Sequence, residues 1–200
     1  CIIHKLKISK DMANWASTSY RIEGKQEDLQ QIYDLFVKFD NGRRKPFDEL
    51  TSKDWEGNIV WALGGETKDY YLRGFIQTCE ISEGLLSIEA EEAWGATDFR
   101  RFLEKHYQDM KVYFCVEEEG EEIYATNDIE GKYFKFRYMV NSCIDGADEW
   151  EYFNTSEEAL QYIANRLEID SITIPQLETW QENHENEDDY IFFNEYKIVA

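Results

Sequence analysis

The sequence has little proline and no closely spaced cysteines. Only two prolines and eleven glycines occur in its 200 residues, so a proline- or glycine-rich linker and a fibrous repeat are excluded. The four cysteines form no CxxC pair, and the three histidines form no ligand pattern with them. Zinc sites and iron–sulfur clusters need such closely placed ligands. We therefore expect no metal and no cofactor.

Long apolar runs and the common phosphate-binding and hydrolase motifs are also missing. Runs such as Ile59–Leu63 fall far short of the roughly 20 apolar residues that span a bilayer, so no membrane segment is predicted. The sequence contains no GxxxxGKS/T, no GxGxxG after a strand and no GxSxG. Nucleotide-binding loops and serine hydrolase sites therefore have no support.

Basic residues are scarce relative to acidic ones. The chain has 21 Lys and Arg against 42 Asp and Glu, which gives a net charge of −21. This charge argues against direct binding to nucleic acid or to an anionic membrane surface. Two interpretations are open, because acidic side chains can simply keep the protein soluble or can imitate a phosphate backbone. In the second case, the acidic surface would occupy the nucleic-acid site of another protein.

The cysteines favour a reducing compartment. Cys79 and Cys115 fall in strand-like runs, where a thiol usually behaves as a small buried apolar side chain, so a cytoplasmic protein is expected. Cys1 leaves a lipidated N-terminus as an alternative, although the residues after it do not resemble a flexible polar tether. Met12 is a plausible natural start, so residues 1–11 are predicted to be an N-terminal extension without function.

A compact β-α-β pattern occupies residues 87–120. Polar and apolar residues alternate over 87–90 and again over 112–116, as they do in strands that are buried on one side. Between these stretches, residues at helical spacing form one apolar stripe: Phe99, Phe102, Leu103 and Tyr107. The apolar content of 42% is sufficient for a substantial core around this unit.

The elements before this block complete a longer pattern. A strand is predicted over residues 13–23, a helix over 27–39, a buried strand at Ile59–Leu63 and an extended stretch over 70–81. The order over residues 13–118 is then β-α-β(β)-β-α-β, which matches the split β-α-β plan of the ferredoxin-like fold. We expect an α+β domain over residues 12–126, with an antiparallel sheet and two helices on one of its faces.

Residues 127–200 are predicted to form a smaller β-β-α-α-β extension or a separate small α+β domain. An alternating aromatic strand is predicted over Tyr133–Tyr138, with an antiparallel partner at Trp150–Phe153 across an Asp-Gly turn. Thr155 opens a sequence with the spacing of a capping box, which predicts a helix from that point. The remaining predicted elements are a helix from Pro175 and a closing strand over Tyr190–Val199.

Several short segments resemble a known family. They are Met12–Trp15, the sequence Glu92-Ala93-Trp94-Gly95, the helix Asp98–Tyr107, and the strand from Val112 that ends in Glu117-Glu118-Glu119-Gly120. Over residues 12 to about 140, the chain resembles the YubB-like ferredoxin-like-fold family of plasmids and phages. It departs from the family pattern at Ala96-Thr97 and Gln108-Asp109-Met110, where family members typically have prolines. The resemblance implies a ferredoxin-like shape and a mobile-element origin, without an iron–sulfur cluster or an established activity.

Tryptophans and acidic clusters form the candidate interaction surface. Its residues are Trp15, Trp94, Glu89, Glu91, Glu117, Glu118 and Glu119. Trp15 falls on the Ser17 side of its strand, where an exposed indole would be a binding anchor; a second layer that covers this face is the alternative. Carboxylates this numerous lie near each other by chance, so no acid–base pair and no catalytic residue is assigned.

These observations favour a non-enzymatic, cytoplasmic module that binds another macromolecule, and a protein is the expected partner. Two alternatives are open. The first is an acidic nucleic-acid mimic that inhibits a DNA-binding protein, built from the clusters Glu89–Glu92, Glu117–Glu122 and Glu185–Asp189. The second is a hydrolase that uses two carboxylates with a bound metal ion.

Overall fold

The computed structural model describes residues 14–184 and 189–199. The chain divides into two compact units, Cys1–Ile123 and Tyr124–Ala200, and each is considered by itself. The extension predicted at residues 1–11 lies outside the described part, as do residues 185–188 of the predicted acidic segment. Both units contain helices and strands, in agreement with the predicted α+β class.

The first unit is built around an antiparallel sheet. Its elements are β1 Trp15–Glu23, α1 Gln26–Asp40, α2 Gly57–Ala62, a 3-10 helix Thr67–Asp69, β2 Gly74–Ser82, β3 Leu85–Ala93, α3 Phe99–His106 and β4 Lys111–Glu118. These strands lie in the order β2-β3-β1-β4, and each neighbouring pair is antiparallel. Strand β1 therefore lies between β3 and β4.

Alternation in β1 separates a buried side of this sheet from an exposed one. Tyr20 and Ile22 are fully buried, whereas Trp15 and Ser17 point to the other side and are exposed. The Tyr20 ring lies 6.3 Å from the ring of Phe99 in α3, so the buried side carries the core. The apolar stripe of α1 is buried as well: Leu29, Ile32, Leu35 and Phe39. Each such side chain contributes about 1.5–3 kcal/mol when it is fully buried.

The strand predicted at Ile59–Leu63 is wrong, because most of this run belongs to helix α2. A short, continuous apolar run has no periodicity that separates a buried strand from a buried helix. The Asn58 side chain ties the first turn of the helix to the preceding loop, because it donates to the Ser52 carbonyl (2.8 Å) and accepts from the Phe47 N–H (2.9 Å). The helical backbone turns Trp61 outward, where it is 36% exposed, while Ile59 and Val60 are buried.

The second unit holds a three-stranded sheet, two helices and a short parallel strand pair. Its elements are β5 Ile123–Thr126, β6 Tyr138–Ile144, β7 Ala147–Phe153, α4 Ser156–Arg166, α5 Ile174–Asn183, β8 Tyr190–Glu195 and β9 Lys197–Ile198. The sheet has the order β7-β6-β8 with antiparallel pairing, and β5 pairs with β9 in parallel. Residues of the sheet and of both helices share one core, which includes Val140, Ile163, Leu177 and Ile191.

The aromatic strand predicted over Tyr133–Tyr138 is wrong for all but its last residue. The buried Asp128 carboxylate accepts the backbone N–H groups of residues 132–134 at 2.7–3.0 Å. The Arg137 guanidinium donates to backbone carbonyls of the same loop, including that of Phe134 (2.6 Å). Because these two side chains engage the backbone groups, the same groups cannot also form a strand ladder.

Helix α4 begins at the predicted capping box. The Thr155 hydroxyl accepts from the Glu158 N–H (3.2 Å), and the Glu158 carboxylate accepts from the Thr155 N–H (3.3 Å). Replacing Thr155 with alanine is expected to lower the free energy of unfolding by about 1 kcal/mol, because a first-turn N–H loses its acceptor. Chemical denaturation measures the change, with Thr155→Ser, which keeps the hydroxyl, as the control. An equal loss in both variants would contradict a capping role.

Candidate functional site

Residues from four strands meet on the exposed side of the first unit's sheet. In the register, Phe75 lies opposite Glu91, and Glu91 lies opposite Ser17. On its other side, Ser17 lies opposite Glu117. Directly paired residues project from the same face, so these residues form one row across the sheet. We call this surface the acidic sheet face and define it by Trp15, Ser17, Phe75, Glu89, Glu91 and Glu117.

The acidic sheet face carries an aromatic pair. Trp15 is 47% exposed, and its ring centroid lies 5.6 Å from that of Phe75, with the planes tilted by 47°. Ser17, the next residue of β1 on this face, is small and exposed, so it leaves the indole accessible from the side. An exposed indole held against a second ring offers a large apolar contact area that loses little rotamer freedom on binding.

The carboxylates of the face differ in their partners. Glu89 accepts hydrogen bonds from the Ser19 hydroxyl and from Arg21 Nη1, the latter at 2.8 Å. Glu91 is exposed and accepts one long hydrogen bond of 3.4 Å from Gln77 Nε2. Arg21 therefore partly neutralises Glu89. Glu91 forms no ion pair with any residue that the structure describes, and Gln77 is a neutral partner.

The predicted interaction residues are only partly brought together. Those that share the acidic sheet face are Trp15, Glu89, Glu91 and Glu117; those outside it are Trp94, Glu118 and Glu119. Trp94 is 44% exposed and follows the end of β3 with a φ of 65°. Glu118 is buried and accepts from the N–H groups of Gly120 (2.8 Å) and Glu121 (2.7 Å). Its role is thus to close a turn, in which Glu119 is exposed.

A pair of carboxyl groups lies in the core of the same unit. Glu56 and Glu92 are both fully buried. Glu92 accepts from the Tyr20 hydroxyl, at 2.8 and 2.9 Å from its two oxygens, and from the Thr97 hydroxyl at 2.8 Å. By contrast, neither oxygen of Glu56 meets a hydrogen-bond partner in good geometry among the described residues. Glu56 and Glu92 together are called the buried carboxyl pair.

The electrostatics of the buried carboxyl pair favour a proton on Glu56. Burial raises the pKa of Glu56 well above its usual range, and the charge of Glu92 raises it further, against a smaller opposing effect of Thr97. Burial and then the charge of Glu92 also raise the pKa of the Tyr20 hydroxyl. Two adjacent carboxylates in a closed site cannot both ionise at low cost. A proton on Glu56 avoids this cost, and the Tyr20 and Thr97 hydroxyls donate to the neighbouring Glu92.

Gly74, the first residue of β2, makes room for the buried carboxyl pair. A Cβ atom at this position would lie 2.6 Å from Glu56 Oε2 and 2.8 Å from Glu92 Cγ. The Glu56 N–H donates to the Gly74 carbonyl at 3.1 Å. The next residue of β2 is Phe75 of the acidic sheet face. The buried pair thus packs against the start of the strand that carries one ring of the exposed aromatic pair.

Reasoning from the sequence did not find the buried carboxyl pair. Glu92 follows Ile88 and Ala90 at alternate positions of β3, so the strand alternation itself was a signal that it points inward. No comparable signal marks Glu56, which precedes a helix of only six residues. Both groups are closed to solvent, so a substrate cannot reach them, and the chemistry that the arrangement allows is the holding of a proton.

The described part of the chain offers no further cluster of ligands. Within residues 14–184 and 189–199, no three His, Cys, Asp or Glu side chains come together in a way that could hold a metal ion. None of the described helices combines the length and the apolar character that are needed to cross a membrane. Comparison with known proteins gives no match to a family model, a curated protein or a solved structure. The acidic sheet face and the buried carboxyl pair are therefore the candidate functional features of the first unit.

Proposed function

We propose that the protein is a non-enzymatic module that binds a basic segment of another protein through its acidic sheet face. The observation that carries the proposal is the half-exposed indole of Trp15, held against Phe75 in the same patch as the exposed carboxylate of Glu91. An aromatic ring next to a carboxylate that lacks a cationic partner attracts Lys and Arg side chains by cation–π and ionic interactions.

The aromatic and acidic residues would have different roles in binding. The carboxylates of Glu89 and Glu91 attract a basic segment and discriminate against an acidic one. Trp15 and Phe75 supply apolar area, which the methylene groups of Lys and Arg cover. Exposed charges are screened beyond about 8 Å at physiological ionic strength. Binding is therefore expected to weaken as the salt concentration rises.

A ferredoxin-like fold of the first unit is part of the proposal. It is supported by the order β2-β3-β1-β4, which is the strand order of a split β-α-β arrangement. The placement of both helices on one face is supported by the contact of Tyr20 with Phe99 and by the hydrogen bond from the Tyr107 hydroxyl to Gln31 of α1 (3.1 Å). Helices on that face would leave the opposite face, which carries Trp15, open to a partner.

Membership of the YubB-like family, a mobile-element origin and a cytoplasmic location belong to the same proposal. The first two rest on the resemblance of the segments around Trp94 and Asp98–Tyr107, together with the strand order. The location rests on Cys79 and Cys115, which are buried and form no disulfide bond in the described part of the chain, as is usual in a reducing compartment. The partner would then be a protein of the cell that hosts the mobile element.

The two alternatives have weaker support. A nucleic-acid mimic needs a continuous acidic surface, and two of its predicted pieces are interrupted because Glu92 and Glu118 are buried. A two-carboxylate hydrolase needs carboxyl groups that a substrate can reach. Glu56 and Glu92 lie together in the core, where solvent has no access to them.

Cross-linking from the face itself tests the proposed function. A photoreactive benzoyl-phenylalanine in place of Phe75 is expected to capture a peptide rich in Lys and Arg, identified by mass spectrometry, with a yield that falls as salt rises. The added change Glu91→Lys is expected to lower this yield about tenfold, because a positive charge then faces the basic segment.

Glu49→Lys is the matched control for this experiment. Glu49 is also exposed, but it lies in the loop between α1 and α2 and not on the sheet. When Glu49→Lys is added to the chain with benzoyl-phenylalanine at position 75, the cross-linking yield is expected to stay the same. An equal loss of cross-linking yield with both lysine substitutions would show that binding depends only on net charge, and this would contradict the proposal. A lower cross-linking yield when duplex DNA is added before irradiation would favour the mimic alternative.

A further inference from the structure

The sheet of the second unit has one face that points away from its helices. On β7 and β6, Glu149 and its neighbour Ser142 point towards α4, where Glu149 accepts from the Tyr162 hydroxyl (2.6 Å) and from Arg166 (2.7 Å). Because side chains alternate along a strand, the flanking residues of β6 point the other way. The opposite face therefore carries Asn141 and the residues paired with it.

Two exposed aromatic residues flank Asn141 on this opposite face. In the register, Asn141 lies between Trp150 of β7 and Phe192 of β8. Trp150 is 45% exposed and Phe192 is 47% exposed, whereas Asn141 is only 7% exposed. The buried Oδ1 atom of Asn141 meets no hydrogen-bond donor among the described residues. A buried acceptor without a hydrogen-bond donor costs free energy. A ligand that donates a hydrogen bond to Asn141 Oδ1 would remove this cost.

One carboxylate of the strands, Asp148, lies on the same face as this row, and the three strands contain no Lys or Arg. The other carboxylates of these strands, Glu149, Glu151 and Glu195, alternate to the opposite face. In the adjacent row, Cys143 lies between Asp148 and Tyr190, and the Tyr190 hydroxyl donates to Asp148 Oδ1 (3.2 Å). Burial, a hydrogen bond to Asp148 and the charges of Asp148 and Asp189 raise the pKa of Cys143, which places both carboxylates near this row.

We propose that the row Trp150–Asn141–Phe192 is a binding site for the guanidinium group of an arginine side chain from another protein. A guanidinium is flat and cationic, stacks on aromatic rings and carries several N–H donors in one plane. It can donate to Asn141 Oδ1 while its charge is balanced by Asp148. This site does not depend on the acidic sheet face, because it belongs to the second unit and uses none of the same residues.

The dimensions of the row fit this ligand. Neighbouring strands are about 4.8 Å apart, so the backbones that carry Trp150 and Phe192 are separated by about 10 Å, which leaves room for a planar group between the two rings. The far end of the face is closed, because the ring of Tyr152 packs on that of Phe136 at 4.7 Å. Entry is therefore from the end near Asp148.

The chemistry of the row also discriminates against other flat ligands. A nucleotide could stack on Trp150 and Phe192, but Asp148 would repel its phosphates, and the three strands offer no Lys or Arg to bind them. A lysine ammonium is a compact, strongly hydrated charge that does not stack as a plane. The neutral analogue citrulline keeps the planar shape of arginine, but it has fewer N–H donors and lacks the charge that Asp148 would balance.

Nuclear magnetic resonance of the full chain with a small probe tests this proposal. N-acetyl-arginine amide is expected to shift the indole N–H signal of Trp150 and the side-chain amide signals of Asn141 in a saturable manner. N-acetyl-citrulline amide and N-acetyl-lysine amide are expected to bind more weakly. Trp150→Leu and Phe192→Leu are each expected to raise the dissociation constant of the arginine probe about tenfold, because a stacking surface for the cation is lost.

Trp94→Leu is the matched control, because Trp94 is 44% exposed but lies in the first unit and outside both proposed surfaces. It is expected to leave the affinity for the arginine probe unchanged. Thermal unfolding of each variant separates a loss of the site from a loss of the fold, and Trp150→Phe, which keeps an aromatic ring, should retain most of the affinity. Equal affinity for the citrulline probe, preferential binding of adenosine monophosphate, or no saturable shift at Trp150 would each overturn the proposal.

Discussion

Replacing Glu56 with glutamine is expected to make the protein more stable than the unchanged sequence at neutral and alkaline pH. Glu56 is buried beside Glu92, and burial followed by the Glu92 charge raises its pKa in the folded state. The stability that the neutral group contributes is complete below the ordinary pKa of glutamic acid and is lost as the pH rises to the folded value. Each pH unit in that window removes about 1.4 kcal/mol.

Glutamine keeps the size of Glu56 and cannot ionise, so it isolates this effect. Its amide is neutral at every pH, whereas the carboxyl group of Glu56 is neutral only while it holds its proton. The stability difference between the Glu56→Gln variant and the unchanged sequence should therefore be small in acid and grow with pH. Denaturation at a series of pH values measures this difference directly.

Glu66→Gln is the control for this experiment, since the Glu66 side chain is 73% exposed. Its stability should follow that of the unchanged sequence at every pH within about 0.5 kcal/mol, as is usual for surface substitutions. A difference for Glu56→Gln that stays constant with pH would show that Glu56 does not hold a proton in the folded protein. The core would then accommodate two ionised carboxylates, which contradicts the electrostatic account of the pair.

Replacing Asp128 with alanine is expected to lower the free energy of unfolding of the second unit by about 3 kcal/mol. The Asp128 carboxylate is buried and accepts three backbone N–H groups from residues 132–134. Hydrogen bonds to charged groups contribute more than neutral ones, and their loss leaves the N–H groups of a buried loop without an acceptor. Chemical denaturation measures the loss, and Asp170→Ala, at an exposed position of the same unit, is the control.

The pH dependence of an Asp128→Asn variant separates the charge of Asp128 from its shape. Burial raises the pKa of Asp128, but the N–H groups of residues 132–134 and the charge of Arg137 outweigh it and hold the pKa below its ordinary value. The ionised group therefore contributes stability above the ordinary pKa of aspartic acid, and this contribution is lost as the pH falls through the folded value. The difference in the free energy of unfolding between the unchanged sequence and Asp128→Asn should therefore become smaller in acid. A difference that is independent of pH would contradict this account.

Local patterns in the sequence predicted most of the elements, and two failures have a common cause. The helices α1, α3 and α4 were predicted because their stripes and caps involve residues at most four positions apart. The apolar run at Ile59–Leu63 and the alternating run at Tyr133–Tyr138 were assigned to strands on equally local grounds. In both cases a side chain outside the run holds nearby backbone: Asp128 accepts N–H groups within its run, whereas Asn58 ties the start of α2 to the preceding loop.

The candidate site required information that local patterns lack. The sequence predicts an interaction surface that includes Trp15, Glu89, Glu91 and Glu117, but it does not predict that these residues lie on one face of a sheet. Phe75, which supports the exposed indole, and the buried pair of Glu56 and Glu92 were not chosen at all. The contacts of these residues join positions that are tens of residues apart, such as the hydrogen bond from Tyr20 to Glu92.

The sequence by itself determined the acidic balance, the strand alternation, the helical stripes and the capping box at Thr155, because each depends on composition or on near neighbours in the chain. Alternation along β3 indicates that Glu92 points inward, but only the tertiary structure decided that Glu56 lies beside it and which carboxylates share the open face. The pairing of Ser17 with Glu91 and Glu117 places those carboxylates on the open face, whereas Glu92, one residue further along β3, turns into the core towards Glu56. Strand register and the packing of α2 determine which of these carboxylates lie next to each other, and a sequence pattern contains neither of them.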